Sequence, residues 1–366
     1  MPDPSTTMAW TAGGPSEGNP WGAAPGRRRR KLTLDRALFM TVFLGLPVAV
    51  FVIFVVVPIG QALFYSLTDW TGFSPVMNFV GLDNYAKLLD DETFLKALRN
   101  NVLLTIVVPF VTLVAALAIA VVVTTAGPST GQVRGLNGSG FYRVVSFFPY
   151  AVPAVVIGLL WAQVYDPAAG LLNGMLTGIG LDGFKDYAWL GEVRAAMPAS
   201  MFVMIWASIG FYTVLFVAAI KGVPAEIYEA ARIDGAGRFR TAISITLPSI
   251  RDNVQTAYIY LGILTLDAYV FMAALAPGGG PANSTLTMSQ HLMNTAFKKS
   301  QFGYATSMGV VLALVTLLFA ALIIVAFRIW AGSDKKPGRN TPRFSAYGRP
   351  LLLLKAREGH DEEVRP

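Results

Sequence analysis

The 366-residue sequence contains no cysteine and only two histidines, His291 and His360. Disulfide bonds, thiolate nucleophiles and cysteine-based metal sites are therefore excluded, and the wide separation of the two histidines disfavours a histidine-based zinc site. The sequence also contains no Gly-Lys pair, which the phosphate-binding loop of P-loop ATPases requires. This chain therefore carries no P-loop ATPase of its own.

Charged residues are scarce as well. They make up 14% of the chain, whereas hydrophobic residues make up 54%; soluble domains usually contain roughly 25% charged residues and less than half apolar ones. This balance predicts an integral membrane protein. The net charge is +7, which on a soluble protein would suggest nucleic-acid binding. Because the basic residues lie next to apolar runs, we interpret them instead as the signal that orients membrane helices.

Six long apolar runs predict an all-α polytopic membrane protein with six transmembrane helices. Each run is long enough to cross a hydrocarbon core of about 30 Å at a rise of roughly 1.5 Å per residue. The prolines inside them are tolerated in membrane helices. The runs are Ala37–Ile59, Val102–Ala126, Val144–Tyr165, Ala195–Ile220, Val254–Ala276 and Ala305–Phe327.

The distribution of basic residues predicts that both termini are cytoplasmic. The first run follows the cluster Arg27-Arg-Arg-Arg-Lys31, and it is longer and lies later in the chain than the apolar core of a signal peptide. Six spans then return the chain to the same side, giving a multi-pass protein of the plasma (inner) membrane. Only seven of the 29 Lys and Arg residues would lie outside: Lys87, Lys96, Arg99, Lys185, Arg194, Lys298 and Lys299.

The chain divides into three regions. Residues 1–36 are predicted to be a disordered basic cytoplasmic tail, residues 37–330 the six-span domain, and residues 331–366 a polar cytoplasmic C-terminal tail. On the outer side, residues 79–89 predict a loop and a short amphipathic helix before the second span. The run Pro277-Gly-Gly-Gly-Pro281 predicts a break after the fifth span.

A short polar segment, Glu229 to Pro248, separates the fourth and fifth predicted spans on the cytoplasmic side. Residues 225–231 predict one short helix, and residues 238–245 predict a second that ends at Pro248. Gly235 lies between them and can adopt the left-handed conformation that ends a helix and redirects the chain. We therefore predict two short helices joined by a bend.

This segment resembles the EAA loop in permease subunits of binding-protein-dependent ABC importers. That pattern is E-A-A, three residues, G, nine residues, I, one residue and L-P, and every spacing agrees. Residues 79–85, 148–153, 278–284 and 302–305 are similar to the sugar branch of these importers, in particular the first permease subunit of maltose- and lactose-type systems. The resemblance covers about residues 38–330, although the large outer insertion of the maltose-type subunit is absent. The matching residues are Glu229, Ala230, Ala231, Gly235, Ile245, Leu247 and Pro248.

The resemblance implies a type I ABC importer permease fold, with the ABC core at about residues 97–330 and the EAA loop acting as a cytoplasmic coupling helix. Its implied partners are a second homologous permease subunit, an ABC ATPase dimer that binds ATP and Mg, and an extracytoplasmic solute-binding protein that delivers a sugar. No cofactor on this chain and no nucleic-acid partner are expected. The small residues Ala230 and Ala231 would allow close approach to a partner. Charged residues available for docking are Glu229, Arg232 and Asp234.

Asp267 is the only ionisable residue within the six predicted spans. A carboxylate at the membrane centre costs about 2.5–3.5 kcal/mol on insertion scales, so it should face a cavity or a polar partner. Tyr260, Leu264, Asp267 and Phe271 occur at i, i+4, i+7 and i+11, on one predicted helical face. An acid beside aromatic rings suits a sugar pathway, while a structural Asp bonded to a neighbouring helix stays the alternative. Weaker candidates for lining the pathway are Trp161, Trp206 and Tyr212.

Three other functions stay open. An ABC permease for a non-sugar solute, such as a polyamine or a phosphate ester, would share the EAA pattern, although the absence of Lys and Arg from the predicted spans disfavours phosphate esters. A secondary transporter or channel would explain six spans and Asp267 but not the EAA spacing. A membrane-bound enzyme is disfavoured because no nucleophile, metal cluster or pair of intramembrane acids is present.

Overall fold

The structure is a computed structural model that describes residues 38–125 and 146–332. The chain divides into two compact units, Met1–Gln61 and Ala62–Pro366. The predicted tails, apart from residues 331 and 332, lie outside the described residues. So do residues 127–143, which join the second and third predicted spans.

In the first unit, the described residues belong to helix α1, Leu38–Tyr65, which continues into the second unit. Helix α1 contains two π-helical turns, Thr41–Gly45 and Val52–Val56. It has no charged residue, and its apolar side chains cover the whole circumference, as expected for a helix in contact with lipid. The predicted span Ala37–Ile59 is therefore helical from residue 38 and extends beyond its predicted end to Tyr65.

The described part of the second unit is mostly helical. Four helices of the described chain are long and apolar enough to cross a membrane, namely α1 and three of those that follow, and a bent pair can be counted as a fifth. The helices after α1 are α2 (Asp83–Asp90), α3 (Glu92–Thr125), α4 (Ala154–Val164), α5 (Leu171–Gly178), α6 (Val193–Lys221), α7 (Ala225–Ile233), α8 (residues 238–249), α9 (Arg251–Leu266), α10 (Tyr269–Leu275), α11 (Met288–Met293) and α12 (Phe302–Gly332).

Helices α3 and α6 form the centre of this unit and pack along much of their lengths. Leu113 of α3 and Phe216 of α6 belong to one buried apolar cluster between them. Helix α3 begins well before the predicted start of the span, because Asp91 caps it: the Asp91 carboxylate accepts the backbone N–H groups of Thr93 (2.9 Å) and Phe94 (3.1 Å).

The third predicted run, Val144–Tyr165, is not one continuous helix, and the prediction is wrong in this respect. Residues 146–151 are helical, the helix stops before Pro153, and α4 begins at Ala154. Proline lacks a backbone N–H and disfavours helical geometry in the residue before it, so Pro153 starts a new helix with φ −54° and ψ 136°. Helix α4 has 11 residues and is too short to span a membrane alone. A sixth transmembrane helix is therefore not confirmed.

The fifth predicted run, Val254–Ala276, is also not a single straight helix, because α9 and α10 are bent by 50° at Asp267. Asn101 of α3 is fully buried at this bend. Its side-chain N–H donates to the carbonyl of Leu266 (2.6 Å), and its Oδ1 accepts the N–H of Met288 (2.8 Å). A buried backbone group left unpaired costs about 1–3 kcal/mol, so these two hydrogen bonds stabilise the broken geometry.

Two segments that were predicted to lie on the outer side have the local structure predicted for them. Helix α2 is the expected short amphipathic helix, with Leu88 buried and Lys87 exposed. After α10 the glycine-rich run forms two 3₁₀ turns, Pro277–Gly279 and Pro281–Asn283. The chain then enters α11, whose first turn is fixed by a capping box formed by Thr287 and Gln290.

Candidate functional site

The polar segment between the fourth and fifth predicted spans forms two helices, α7 and α8, joined by a sharp bend at Gly235. Gly235 has a φ of +72°. The N–H of Gly235 donates to the carbonyl of Arg232 (3.0 Å), and the N–H of Ala236 donates to the carbonyl of Ala231 (2.9 Å). This is the Schellman arrangement, in which a residue in the left-handed conformation ends a helix. The two helices and the bend agree with the sequence prediction.

Helix α8 differs from the prediction in its end. It consists of Arg238–Thr241, a π-helical turn Ala242–Thr246, and Leu247–Ser249. The helix therefore ends one residue after Pro248 rather than at it. Because proline lacks an N–H, the regular hydrogen-bond pattern is lost in the turn before it, and that turn is π-helical.

One side of the segment is held against the core of the second unit. Tyr228 is buried in the apolar cluster formed by α3, α6 and α9, and Ile245 packs against the same cluster. The Tyr228 hydroxyl lies 3.3 Å from the hydroxyl of Thr246, which connects α7 to α8. Ala231 is buried while Ala230 is exposed. The small size of Ala231 therefore serves packing within this chain, which corrects its predicted role in approaching a partner.

The other side of the segment is exposed, including the predicted docking residues Glu229, Arg232 and Asp234. The sequence prediction missed two large apolar residues that flank the bend: Ile233 is 86% exposed and Phe239 is 79% exposed. Large apolar side chains exposed beside charged ones are typical of a surface that binds another protein. The sequence does contain a sign of this surface, because a large apolar residue lies on each side of Gly235 within a mainly polar segment. Ile245, Leu247 and Pro248 are partly buried.

The four residues predicted to share one helical face do not do so. Tyr260 and Leu264 are 52% and 44% exposed, and Asp267 is also exposed at the end of α9. Phe271 lies beyond the bend on α10, where it is half-buried and packs against two apolar clusters. The 50° bend interrupts the helical periodicity between Asp267 and Phe271. The Asp267 carboxylate accepts a hydrogen bond from the Ser289 hydroxyl at 3.3 Å.

The three weaker candidates for lining the pathway also differ in burial. Tyr212 is 1% exposed and belongs to the apolar core between α3 and α6, so it does not line a surface of this chain. Trp161 and Trp206 make an edge-to-face contact with ring centroids 5.3 Å apart. Both remain partly accessible, with Trp206 38% exposed.

A second polar centre, which sequence reasoning did not predict, connects α3, α11 and α12. The Asp91 carboxylate accepts a hydrogen bond from the Tyr304 hydroxyl (2.9 Å) and lies 3.4 Å from Nε2 of His291. Burial acts to raise the pKa of Asp91, but hydrogen bonds from Phe94, Tyr304 and His291 outweigh it and leave this pKa below its usual value. Burial also lowers the pKa of His291, despite the neighbouring carboxylate. At neutral pH an ionised Asp91 therefore faces a neutral His291.

The fold of this chain is similar to that of a chain in a solved transporter complex. A crystal structure of a bacterial alginate ABC transporter, in complex with an alginate pentasaccharide-bound periplasmic protein, contains a chain that superposes with a TM-score of 0.66 at 20% identity, covering 79% of this chain and 93% of that one. This likeness shows that the two chains share a fold.

Sequence comparison identifies the family. The model for the binding-protein-dependent transport system inner membrane component matches residues 124–333. The diacetylchitobiose uptake system permease protein NgcF of Streptomyces coelicolor is 63% identical over 326 residues, which are 88% of this chain and 92% of NgcF. The multiple sugar-binding transport system permease protein MsmF of Streptococcus mutans is 31% identical over 77% of this chain and 92% of MsmF. The chain belongs to the family of binding-protein-dependent transport system inner membrane components.

Family membership confirms the resemblance that the sequence motifs predicted. The chain is a permease, a transport component of the inner membrane rather than a catalytic enzyme, and its transport depends on a binding protein.

Proposed function

We propose that this chain is one of two homologous permease subunits of an ABC sugar importer, and that a separate ATPase dimer drives it through residues 225–249. The observation that carries this proposal is the geometry of the α7–α8 segment. Tyr228 and Ile245 hold it to the core, while the bend at Gly235 leaves Ile233 and Phe239 exposed for a partner. ATP and Mg bind to the ATPase, and this chain requires no cofactor of its own.

The segment is well placed to transmit movement. It follows α6 directly and precedes α9 directly in the chain, and it packs on the cluster that includes residues of both helices. Protein interiors are close-packed and deform little. Displacement of the segment by a partner would therefore move α6 and α9 with it.

We propose six transmembrane spans with both termini in the cytoplasm. In this topology, the run Val144–Tyr165 is one span broken before Pro153, and α9 and α10 together form another, bent at Asp267. Residues 1–36 and 331–366 are cytoplasmic tails, and residues 37–330 form the permease domain with its ABC core from about residue 97. The distribution of Lys and Arg residues along the chain supports this orientation.

The cargo that we propose is a sugar, delivered by an extracytoplasmic binding protein, and its best candidate is diacetylchitobiose. Support comes from the 63% identity to NgcF, which is named for uptake of this disaccharide. A phosphate ester is the second candidate, because UgpA of Agrobacterium fabrum, named for sn-glycerol-3-phosphate transport, is 31% identical over 74% of this chain. The predicted spans contain no Lys or Arg to pair with a phosphate, which favours the neutral sugar.

We also propose that Asp267, Tyr260 and Leu264 face the sugar pathway. All three are exposed in the single chain, whereas a carboxylate and a tyrosine within a membrane require polar surroundings. Phe271 instead packs against two apolar clusters beyond the bend and lies outside this proposed pathway face.

The absence of cysteine allows a direct test of the α7–α8 segment, since Phe239→Cys introduces the only thiol of the chain. We expect this thiol to resist a membrane-impermeant maleimide in intact cells and to react after permeabilisation. A bifunctional reagent that joins a thiol to a lysine amine should crosslink it to the ATPase subunit. Val76→Cys is the matched control, because Val76 is 69% exposed in the loop proposed to lie outside. Reaction of the Phe239→Cys thiol in intact cells would show that the orientation is wrong.

A further inference from the structure

A cavity of about 400 Å³ lies beside α2 and the start of α12, on the side proposed to be extracytoplasmic. Its volume falls within the range of small-molecule binding sites, about 300–1,000 Å³. Its lining combines a carboxylate, an ammonium group, amides, hydroxyls and aromatic rings. The lining residues are Asp69, Trp70, Thr71, Asn84, Lys87, Ser300, Gln301 and Tyr304.

The walls of this outer cavity are held in place by buried hydrogen bonds. The side-chain N–H groups of Asn84, which is 3% exposed, donate to the carbonyls of Ser66 (2.9 Å) and Thr68 (2.8 Å). The N–H of Gly303 donates to the carbonyl of Trp70 at 2.8 Å. A Cβ at position 303 would collide with the carbonyl of Thr68, so only glycine permits this approach. The outer cavity is therefore preorganised.

Several polar groups of the cavity have hydrogen-bonding capacity left for a ligand. Each oxygen of the Asp69 carboxylate accepts one N–H from Asn78, at 2.7 and 2.9 Å. These bonds lower the pKa of Asp69, so the carboxylate stays ionised and keeps lone pairs free. Lys87 is exposed, and among the described residues its ammonium has no acidic partner within 4.0 Å. Gln301 adds an exposed amide.

This set of groups matches the chemistry of a sugar. Sugar hydroxyls donate and accept hydrogen bonds at the same time; the Asp69 carboxylate accepts, the Lys87 ammonium donates, and the Gln301 amide does both. Trp70 and Tyr304 add aromatic surface for the apolar C–H groups of a sugar ring. The opposite charges of Asp69 and Lys87 balance, which disfavours a strongly charged ligand.

We propose that the outer cavity is a sugar-binding subsite, which holds a saccharide before it enters the membrane-spanning part of the chain. The subsite is separate from Asp267, because it is built from the loop after α1, from α2 and from the start of α12. This inference rests on the proposed function as a sugar importer.

The test is saturation-transfer NMR with diacetylchitobiose on the full chain in lipid nanodiscs. We expect binding to the unmodified chain, and about tenfold weaker binding to Lys87→Gln and to Gln301→Ala, since a hydrogen bond from a charged group or in a preformed site is worth roughly that factor. Both side chains are exposed, so folding should be retained. Lys185→Gln is the matched control, because Lys185 is exposed but lies outside the cavity. Equal binding by all variants, or no binding to the unmodified chain, would overturn the proposal.

A second readout separates this inference from the proposed function. If the complete transporter imports diacetylchitobiose but the Lys87→Gln and Gln301→Ala variants bind it like the unmodified chain, only the subsite is rejected. If the complete transporter imports no sugar, the proposed function is rejected. If the variants weaken capture of the binding protein without changing diacetylchitobiose binding, the outer cavity accepts a side chain of that protein, and the sugar subsite is rejected.

Discussion

Substitution of Gly235 by valine should reduce sugar uptake by at least about tenfold while the membrane helices remain inserted. Gly235 has a φ of +72°, a conformation that costs an ordinary residue about 1–2 kcal/mol and a β-branched residue more. No atom lies within 4 Å of a Cβ added at this position, so the effect is conformational rather than steric. Relief of this strain would reorient α8 relative to α7 and so change the position of Phe239 relative to Ile233.

Gly237→Val is the matched control for this prediction. Gly237 has a φ of −67° and a ψ of 163°, an extended conformation that valine adopts readily, and its added Cβ also meets no atom within 4 Å. We expect its uptake to remain within about twofold of the unmodified chain. Gly235→Pro should be at least as severe as Gly235→Val, because it also removes the N–H that donates to Arg232. The measurement is the amount of sugar imported per ATP hydrolysed. Equal ratios for Gly235→Val and Gly237→Val would refute the role of the bend.

Replacement of Asp267 by leucine should also reduce uptake by about tenfold or more, with assembly intact. Loss of a carboxylate from the membrane centre favours insertion by about 2.5–3.5 kcal/mol, so a loss of transport cannot be attributed to poorer insertion. Asp267 is exposed at the bend, and leucine can neither accept the hydrogen bond from Ser289 nor interact with a sugar hydroxyl.

The isosteric Asp267→Asn change should give an intermediate result, since it keeps an acceptor for Ser289 and loses only the charge. Asp252→Asn is the control, because Asp252 is an exposed carboxylate near the opposite end of α9. Uptake and copurification with the second permease subunit are measured together. Wild-type uptake in both Asp267 variants would remove this residue from the pathway.

The positions of the apolar helices and the shape of the α7–α8 segment could be predicted from local sequence. Length and apolarity identify a span because a helix in lipid satisfies its own backbone hydrogen bonds. The bend at Gly235 was predictable because a glycine between two helical patterns fits the left-handed end of a helix. In both cases the determining residues lie within a few positions of the feature.

The two broken spans could not be predicted with the same certainty. Pro109 and Pro198 lie inside intact helices, whereas Pro153 begins a new one, so the residue type alone does not decide the outcome. The bend at Asp267 is stabilised by Asn101, whose side-chain N–H donates to the carbonyl of Leu266, 165 residues further along the chain. No local pattern contains this contact.

Which side of the α7–α8 segment is buried could not be predicted from local sequence either. Ala230 and Ala231 are identical in sequence, but only the tertiary packing of α7 buries one and exposes the other. The outer cavity is a further case. Asp69, Lys87 and Gln301 line the same cavity only because the loop after α1 packs against the start of α12.

Uptake of labelled diacetylchitobiose into proteoliposomes tests the central claim most directly. The vesicles would contain this chain, the second permease subunit and the ATPase, with the binding protein added outside. We expect labelled sugar to accumulate only when both ATP and the binding protein are present. Unlabelled diacetylchitobiose should suppress this accumulation, and sn-glycerol-3-phosphate should not. Uptake that persists without the ATPase subunit, or that no sugar suppresses, would contradict the assignment as the permease of an ATP-driven sugar importer.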